Sequence, residues 1–295
     1  MKDTTDYWPR LILDEKDIPE SFRDFFTKIY TPQTPFPYTV FILPERYYHR
    51  KANPKLICLF NDRICIAEKV NKQINSVCFN IFQISYLEIG VLLLYSWLKI
   101  HGMVNGQSTS VTVEFNTVVQ DLFKPIIEKT RLLIHHIELS NDYRIQLQTE
   151  QQKFDFLNRK DYKYMNYGKD SLMPGCKVNQ ILFQPDIQVK YMRYFTKTLS
   201  LVHQSILTDK ELIIIKDDSS DMKMDKRKRY GGISRYIPLQ KIKKTELISD
   251  PKEATHIFLI YFSENEMIES LFSASMKSEL ENLQKELRRI RFSAS

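Results

Sequence analysis

The chain has 295 residues, enough for about two domains at ~150 residues each. Hydrophobic residues make up 43% and charged residues 27%, with 18 Phe and 16 Tyr, a content that builds cores and argues against disorder over most of the length. Only seven glycines occur, which leaves little room for a Gly-rich phosphate-cradling loop, and the net charge is +7.

The first residues, Met1-Lys2-Asp3-Thr4-Thr5-Asp6, lack the apolar core of a secretory signal. Residues 1–34 read as an N-terminal extension. The most apolar stretch runs from Val77 to Ile100, but Asn80, Gln83 and Glu88 interrupt it. Its clean part, Ile89 to Leu98, is far shorter than the ~20 residues a membrane helix needs. A pair of buried strands fits it better. Cys58, Cys65 and Cys78 sit in apolar, strand-like runs and Cys176 lies apart; none has Cys-x-x-Cys spacing. They read as core thiols in a reducing compartment, with disulfides the less favoured alternative. The expected location is cytoplasmic, with attachment to a membrane surface as a variant.

From Lys55 the chain shows an apolar run, a polar break at Asn61-Asp62-Arg63 and a second apolar run to Lys69, which is a hairpin pattern. The same shape returns at His203–Asp217, broken at Thr208-Asp209-Lys210. The likeness continues downstream. Ile84–Gly90 corresponds to Pro238–Ile248, Leu92–Ile100 to Thr255–Phe262, and Val111–Phe115 to Ile268–Phe272. The last of these alternate apolar and polar residues, as a half-buried antiparallel sheet requires.

Each half then changes period from 2 to 3.6. Val119, Leu122, Phe123, Ile126, Thr130 and Leu133 share one helical face; Met276, Leu280, Leu283, Leu287 and Ile290 share another. Asn116 and Ser273 are placed to act as N-caps. Pro125 should kink or split the first helix. The expected fold is α+β and mainly β: residues 35–137 and 175–295 each form an antiparallel curved sheet or barrel capped by a C-terminal helix. Between them, residues 138–174 carry Phe154, Phe156, Leu157, Tyr162, Tyr164 and Tyr167, too many large groups for a free linker. This segment reads as a connector packed on one or both halves.

That order of elements resembles the pleckstrin-homology (PH) superfold. Leu207-Thr208-Asp209-Lys210-Glu211-Leu212-Ile213-Ile214, followed by Tyr236-Ile237-Pro238-Leu239-Gln240-Lys241-Ile242, is similar to the paired signature of bacterial PH-like and GRAM-like domains. The resemblance covers about Cys176–Phe292. Over Tyr38–Ile137 the break and the helix are present and the Ile-Pro-Leu motif is not. It implies tandem, non-enzymatic binding modules for proteins, for copies of themselves or for lipids; fold alone does not choose among them.

Motifs of nucleotide binding, nucleophilic catalysis and zinc hydrolysis are missing from the sequence, so no catalytic residue, metal, cofactor or small-molecule substrate is expected. One charge feature stands out. Between Asp221 and Lys244, nine basic residues face two acidic ones, a net of +7 that equals the charge of the whole chain. Lys223, Lys226, Arg227, Lys228, Arg229 and Arg235 are the candidates for binding an anion or lipid headgroup, since clustered cations concentrate potential and Arg matches phosphate geometry. A solvated hairpin tip is the plainer use of such a run. In the connector, Lys153, Arg159, Lys160, Lys163 and Lys169 interleave with aromatics as in single-strand nucleic-acid binders. Asp155, Asp161 and Asp170 dilute that charge, so nucleic acid is disfavoured. The leading expectation is a protein partner or self-association, and the alternative is an anionic membrane lipid.

Overall fold

The computed structural model describes residues 8–44, 46–47, 50–139, 142–191, 195–217, 231–250 and 252–293. The fold is α+β and mainly β, with antiparallel sheets and a C-terminal helix. The chain divides into two compact units, residues 1–137 and 138–295.

In the first unit, β1 (Arg10–Ile12) and α1 (Glu20–Ile29) precede β2 (Tyr38–Ile42), the short pair β3 (Arg46–Tyr47) and β4 (Arg50–Lys51), and β5 (Lys55–Leu59). Then come β6 (Arg63–Val70), β7 (Gln73–Asn80), β8 (Ile84–Leu92), β9 (Tyr95–Val104) and β10 (Gln107–Asn116). Strands β1-β2-β5-β6-β7 pair antiparallel in that order, and β8-β9-β10 form a second meander.

Every residue of β5 is buried, because both faces of its sheet are covered. Leu56 and Cys58 point to α1, whose Phe22, Phe25 and Phe26 recur at helical spacing and seal that face. Lys55, also buried, meets Glu68 at 3.1 Å on the facing strand. The sequence had set residues 1–34 apart as an extension; the structure draws β1 and α1 from within that segment and packs them into the first unit. Gly102 of β9 allows a close approach, since a Cβ there would lie 2.4 Å from the Gln83 carbonyl oxygen.

Asn116 accepts from Val118 N–H and so caps a short 3-10 turn, Thr117–Leu122. The α-helix proper, α2 (Lys124–Ile134), starts after it with Pro125 in its first turn, so proline divides the helical stretch as its missing N–H requires. Ile126, Ile127, Thr130, Arg131 and Ile134 are its buried positions.

The second unit begins with the connector: α3 (Asp142–Gln152) and α4 (Tyr162–Ser171). Phe154, Leu157 and Tyr164 are fully buried, so this segment is part of the unit's core. Then follow β11 (Val178–Gln184), the hairpin β12 (Ile187–Tyr191) and β13 (Phe195–Ser200), β14 (His203–Thr208), β15 (Glu211–Lys216) and β16 (Gly231–Pro238). β17 (Lys244–Asp250), β18 (Thr255–Ser263), β19 (Glu266–Ser273) and α5 (Lys277–Ser293) complete it. β11-β14-β15-β16 pair in order, and β17-β18-β19 form a meander.

Helix α5 buries Leu280, Leu283 and Leu287. It reaches both sheets: Gln284 donates to the Thr245 carbonyl oxygen on β17, and Gln180 on β11 donates to that of Glu279. Ser273 was expected to cap this helix. Its hydroxyl instead meets Ser275 Oγ at 2.8 Å and makes no cap bond, because a 3-10 turn, Ala274–Met276, intervenes before α5.

The thiol reading needs a correction. Cys65 and Cys78 form a disulfide between β6 and β7, and only Cys58 and Cys176 are free. The two strands place them directly opposite each other, which spacing along the chain does not reveal. An argument for a reducing compartment from unpaired thiols therefore loses its premise. Among the described residues, no helix is long and apolar enough to cross a membrane.

Candidate functional site: a cleft beside the free edge of β19

Of the sequence-derived candidates, Lys223, Lys226, Arg227, Lys228 and Arg229 lie outside the described residues. Arg235 lies on β16, across from Ile214 of β15; it is half-buried and already engaged by neighbours. Among the described residues no group of His, Cys, Asp or Glu is arranged to hold a metal ion.

The second unit contains a cleft of about 290 Å³ that no motif announced. Several strands meet there: Leu199 of β13 and Leu201 after it, His203 opening β14, Ile214, Lys216 and Asp217 at the end of β15, Ile257 of β18, and Glu269 to Leu271 of β19. Its walls mix aliphatic side chains with polar and charged ones in nearly equal number, so apolar contact and polar groups at fixed points are both on offer.

Asp217 is held from behind. It is buried, and Lys163 Nζ meets its Oδ1 at 2.6 Å while the Tyr164 hydroxyl lies 3.1 Å from the same atom and 2.7 Å from the Val202 carbonyl oxygen. Burial, and then the Asp217 charge, push the Tyr164 hydroxyl far above its ordinary value, so it stays protonated as a donor. Helix α4 is thereby pinned to the end of β15, and Asp217 acts as an anchor rather than as an open acid.

His203 differs from the other strand histidines. His101 is stacked on Tyr86 and bonded to Ser108, and His256 is bonded to Ser249, so both are satisfied. His203 Nδ1 lies 3.1 Å from the Leu201 carbonyl oxygen, which can only accept, so Nδ1 carries the proton. Nε2 is then an acceptor, buried and without a partner among the described residues. Burial lowers the imidazole below its ordinary value, opposed by the Leu201 bond and aided by the Lys216 charge. The ring is neutral near pH 7, with its edge on Phe272 at 4.8 Å between centroids.

The β19 backbone supplies the remaining feature. Ala274 N–H bonds the Ala254 carbonyl oxygen, which fixes the alternation along the β18–β19 ladder. Residues 269, 271 and 273 then turn their N–H and C=O groups away from β18. Ser273 confirms the direction, since its N–H donates outward to Gln184 Oε1. Glu269 and Leu271 therefore present backbone donors and acceptors two residues apart on the side of β19 that has no strand partner among the described residues, and both line the cleft. No protein-family model matches the chain, and no curated protein matches its sequence, so the site is read from its geometry.

Proposed function

We propose that the chain is a non-catalytic interaction protein made of two PH-like units, and that the second takes up an extended segment of a partner protein along β19. The PH-like reading is supported by order. In each unit a four-stranded meander, β2-β5-β6-β7 or β11-β14-β15-β16, is followed by a three-stranded one and then a helix with a buried aliphatic stripe.

The observation that carries the function is the pairing of an unpaired strand edge with a cleft. An added strand would gain main-chain hydrogen bonds from Glu269 and Leu271, while an apolar side chain of the partner enters between Leu199, Leu201 and Ile257. Strand edges left open are natural templates for such addition. A random-sequence peptide library selected on the full chain should yield extended, apolar-anchored peptides. Leu271→Pro removes one outward N–H and no ladder bond, so it should weaken those peptides at least tenfold while thermal unfolding changes little. Leu271→Lys, which fills the cleft with a charge, should do the same. Peptides that bind both variants as well as the parent would refute the site, and light scattering on the unmodified chain shows whether the segment comes from a second copy.

A membrane surface is the second reading, favoured by the concentration of charge between Asp221 and Lys244. Each basic residue near an anionic bilayer contributes ~1 kcal/mol. Changing Lys226, Arg227, Lys228 and Arg229 together to Ala should then remove ~4 kcal/mol of binding to anionic vesicles, and salt should weaken the parent's binding in parallel. Sedimentation with vesicles that ignores lipid charge excludes this reading.

A further inference from the structure

We propose that Cys58, Cys65 and Cys78 form an internal thiol–disulfide exchange site, in which the disulfide moves from Cys65–Cys78 to Cys58–Cys65 and releases a thiol at Cys78. The three residues lie in one row across three adjacent strands, since Cys58 faces Cys65 on β5–β6 and Cys65 faces Cys78 on β6–β7. Residues directly opposite in an antiparallel pair project to the same face. All three pack into the core beneath α1.

The ladders decide the spacing. Phe60 N–H bonds the Arg63 carbonyl oxygen, so by alternation Cys58 and Cys65 form a hydrogen-bonded pair, with Cα atoms ~5.5 Å apart. Ile81 N–H bonds that of Asp62, so Cys65 and Cys78 form the narrow, non-hydrogen-bonded kind, and their Cα atoms are 4.1 Å apart. A separation of ~5.5 Å lies in the middle of the range that disulfides span. The Cys65 side chain can therefore be bridged on either side without moving a strand.

Direction favours exchange as well. Cys58 stands on the side of Cys65 away from Cys78, so its sulfur approaches Cys65 Sγ opposite the leaving sulfur, as displacement at sulfur requires. The Cys58 thiolate attacks, the Cys58–Cys65 bond forms, the Cys65–Cys78 bond breaks, and Cys78 takes up the proton that Cys58 gave. No oxidant or reductant is consumed. Thr39, opposite Cys58 on β2, extends the row, and its hydroxyl donates to the Pro37 carbonyl oxygen at 3.1 Å. Burial pushes the Cys58 thiol up to about 12, so the step is slow at rest. Its consequence is a change of access. Cys58 is sealed in the core, whereas Cys78 is half-buried on β7, the end strand of its sheet among the described residues. Exchange converts a sealed thiol into one that an external thiol-reactive group reaches.

The test uses the native full chain, without reductant, held with iodoacetamide and sampled over time by non-reducing peptide mapping. Alkylated Cys78 should accumulate together with a Cys58–Cys65 linked peptide, at the expense of the Cys65–Cys78 peptide. Cys58→Ser should abolish both products. Should that variant not fold, pH gives the second reading: the Cys58–Cys65 linked peptide should form severalfold faster for each unit of rise above pH 7, because the attacking thiolate grows about tenfold, and a rate indifferent to pH would overturn the exchange. Alkylation of Cys58 with the Cys65–Cys78 link intact, a link that never changes, or a purified chain with no link at all would each overturn the proposal.

Discussion

Phe272→Ala should cost 3–5 kcal/mol, the range for deleting a buried aromatic and leaving a cavity. The ring is fully buried at the end of β19, faces His256 across the ladder, and carries the edge contact to His203 beside the cleft. For a unit of this size each kcal/mol lowers the midpoint by ~2–4 °C, so a fall of ~10 °C is expected. Met267 on the same strand is more than half exposed, and Met267→Ala should stay within ~0.5 kcal/mol. Hydrogen exchange localises the effect. Amides of β14 and β15 should lose protection in Phe272→Ala, while those of β5 and β6 keep theirs, because β5 and β6 belong to the other compact unit. Equal loss in β5 and β6 would mean that the two units do not unfold independently.

What could be read from the sequence was what neighbouring residues decide. The hairpins at Lys55–Lys69 and His203–Asp217 are visible because two apolar runs flank a polar turn, and they form β5–β6 and β14–β15. The switch to a helical stripe after Asn116 and after Phe272 is visible for the same reason, as is the break at Pro125. Helix α1 was legible and overlooked: Phe22, Phe25, Phe26 and Ile29 follow the helical spacing after Pro19. Its partner surface, one face of a sheet built later in the chain, gives no local sign.

The cysteine row was also within reach. A turn centred between Asn61 and Asp62 pairs Cys58 with Cys65, and one centred between Asn71 and Lys72 pairs Cys65 with Cys78. Reading each cysteine as an isolated apolar residue missed a relation that only register reveals. The cleft is different. Its walls come from residues 199 to 271, gathered from the ends of β13, β14, β15, β18 and β19, and its working groups are backbone N–H and C=O. No side-chain pattern encodes which edge of a strand is left unpaired. The basic run between Asp221 and Lys244 was the loudest signal in the sequence, yet only Arg235, Lys241, Lys243 and Lys244 of its basic residues fall within the described structure.

Reduction of the Cys65–Cys78 link should destabilise the first unit by ~3 kcal/mol. The bond closes a loop with a sequence separation of 13, and cross-linking a loop of about that length removes that much chain entropy from the unfolded state. The native side sharpens the effect. β7 is mostly exposed or half-buried, with Gln73, Asn75, Ser76 and Asn80 facing water, so little apolar burial other than Phe79 holds it to β6. Adding dithiothreitol to the native chain should therefore lower the unfolding midpoint by ~10 °C at ~2–4 °C per kcal/mol, and β7 amides should be the first to lose protection. Cys65→Ala removes the central sulfur, so neither Cys58 nor Cys78 has a neighbour to bond. It should start from the lowered midpoint and show no further response to the reductant. A wild-type midpoint indifferent to dithiothreitol, with alkylation confirming that the link has opened, would mean that packing under α1 alone holds β7 in place.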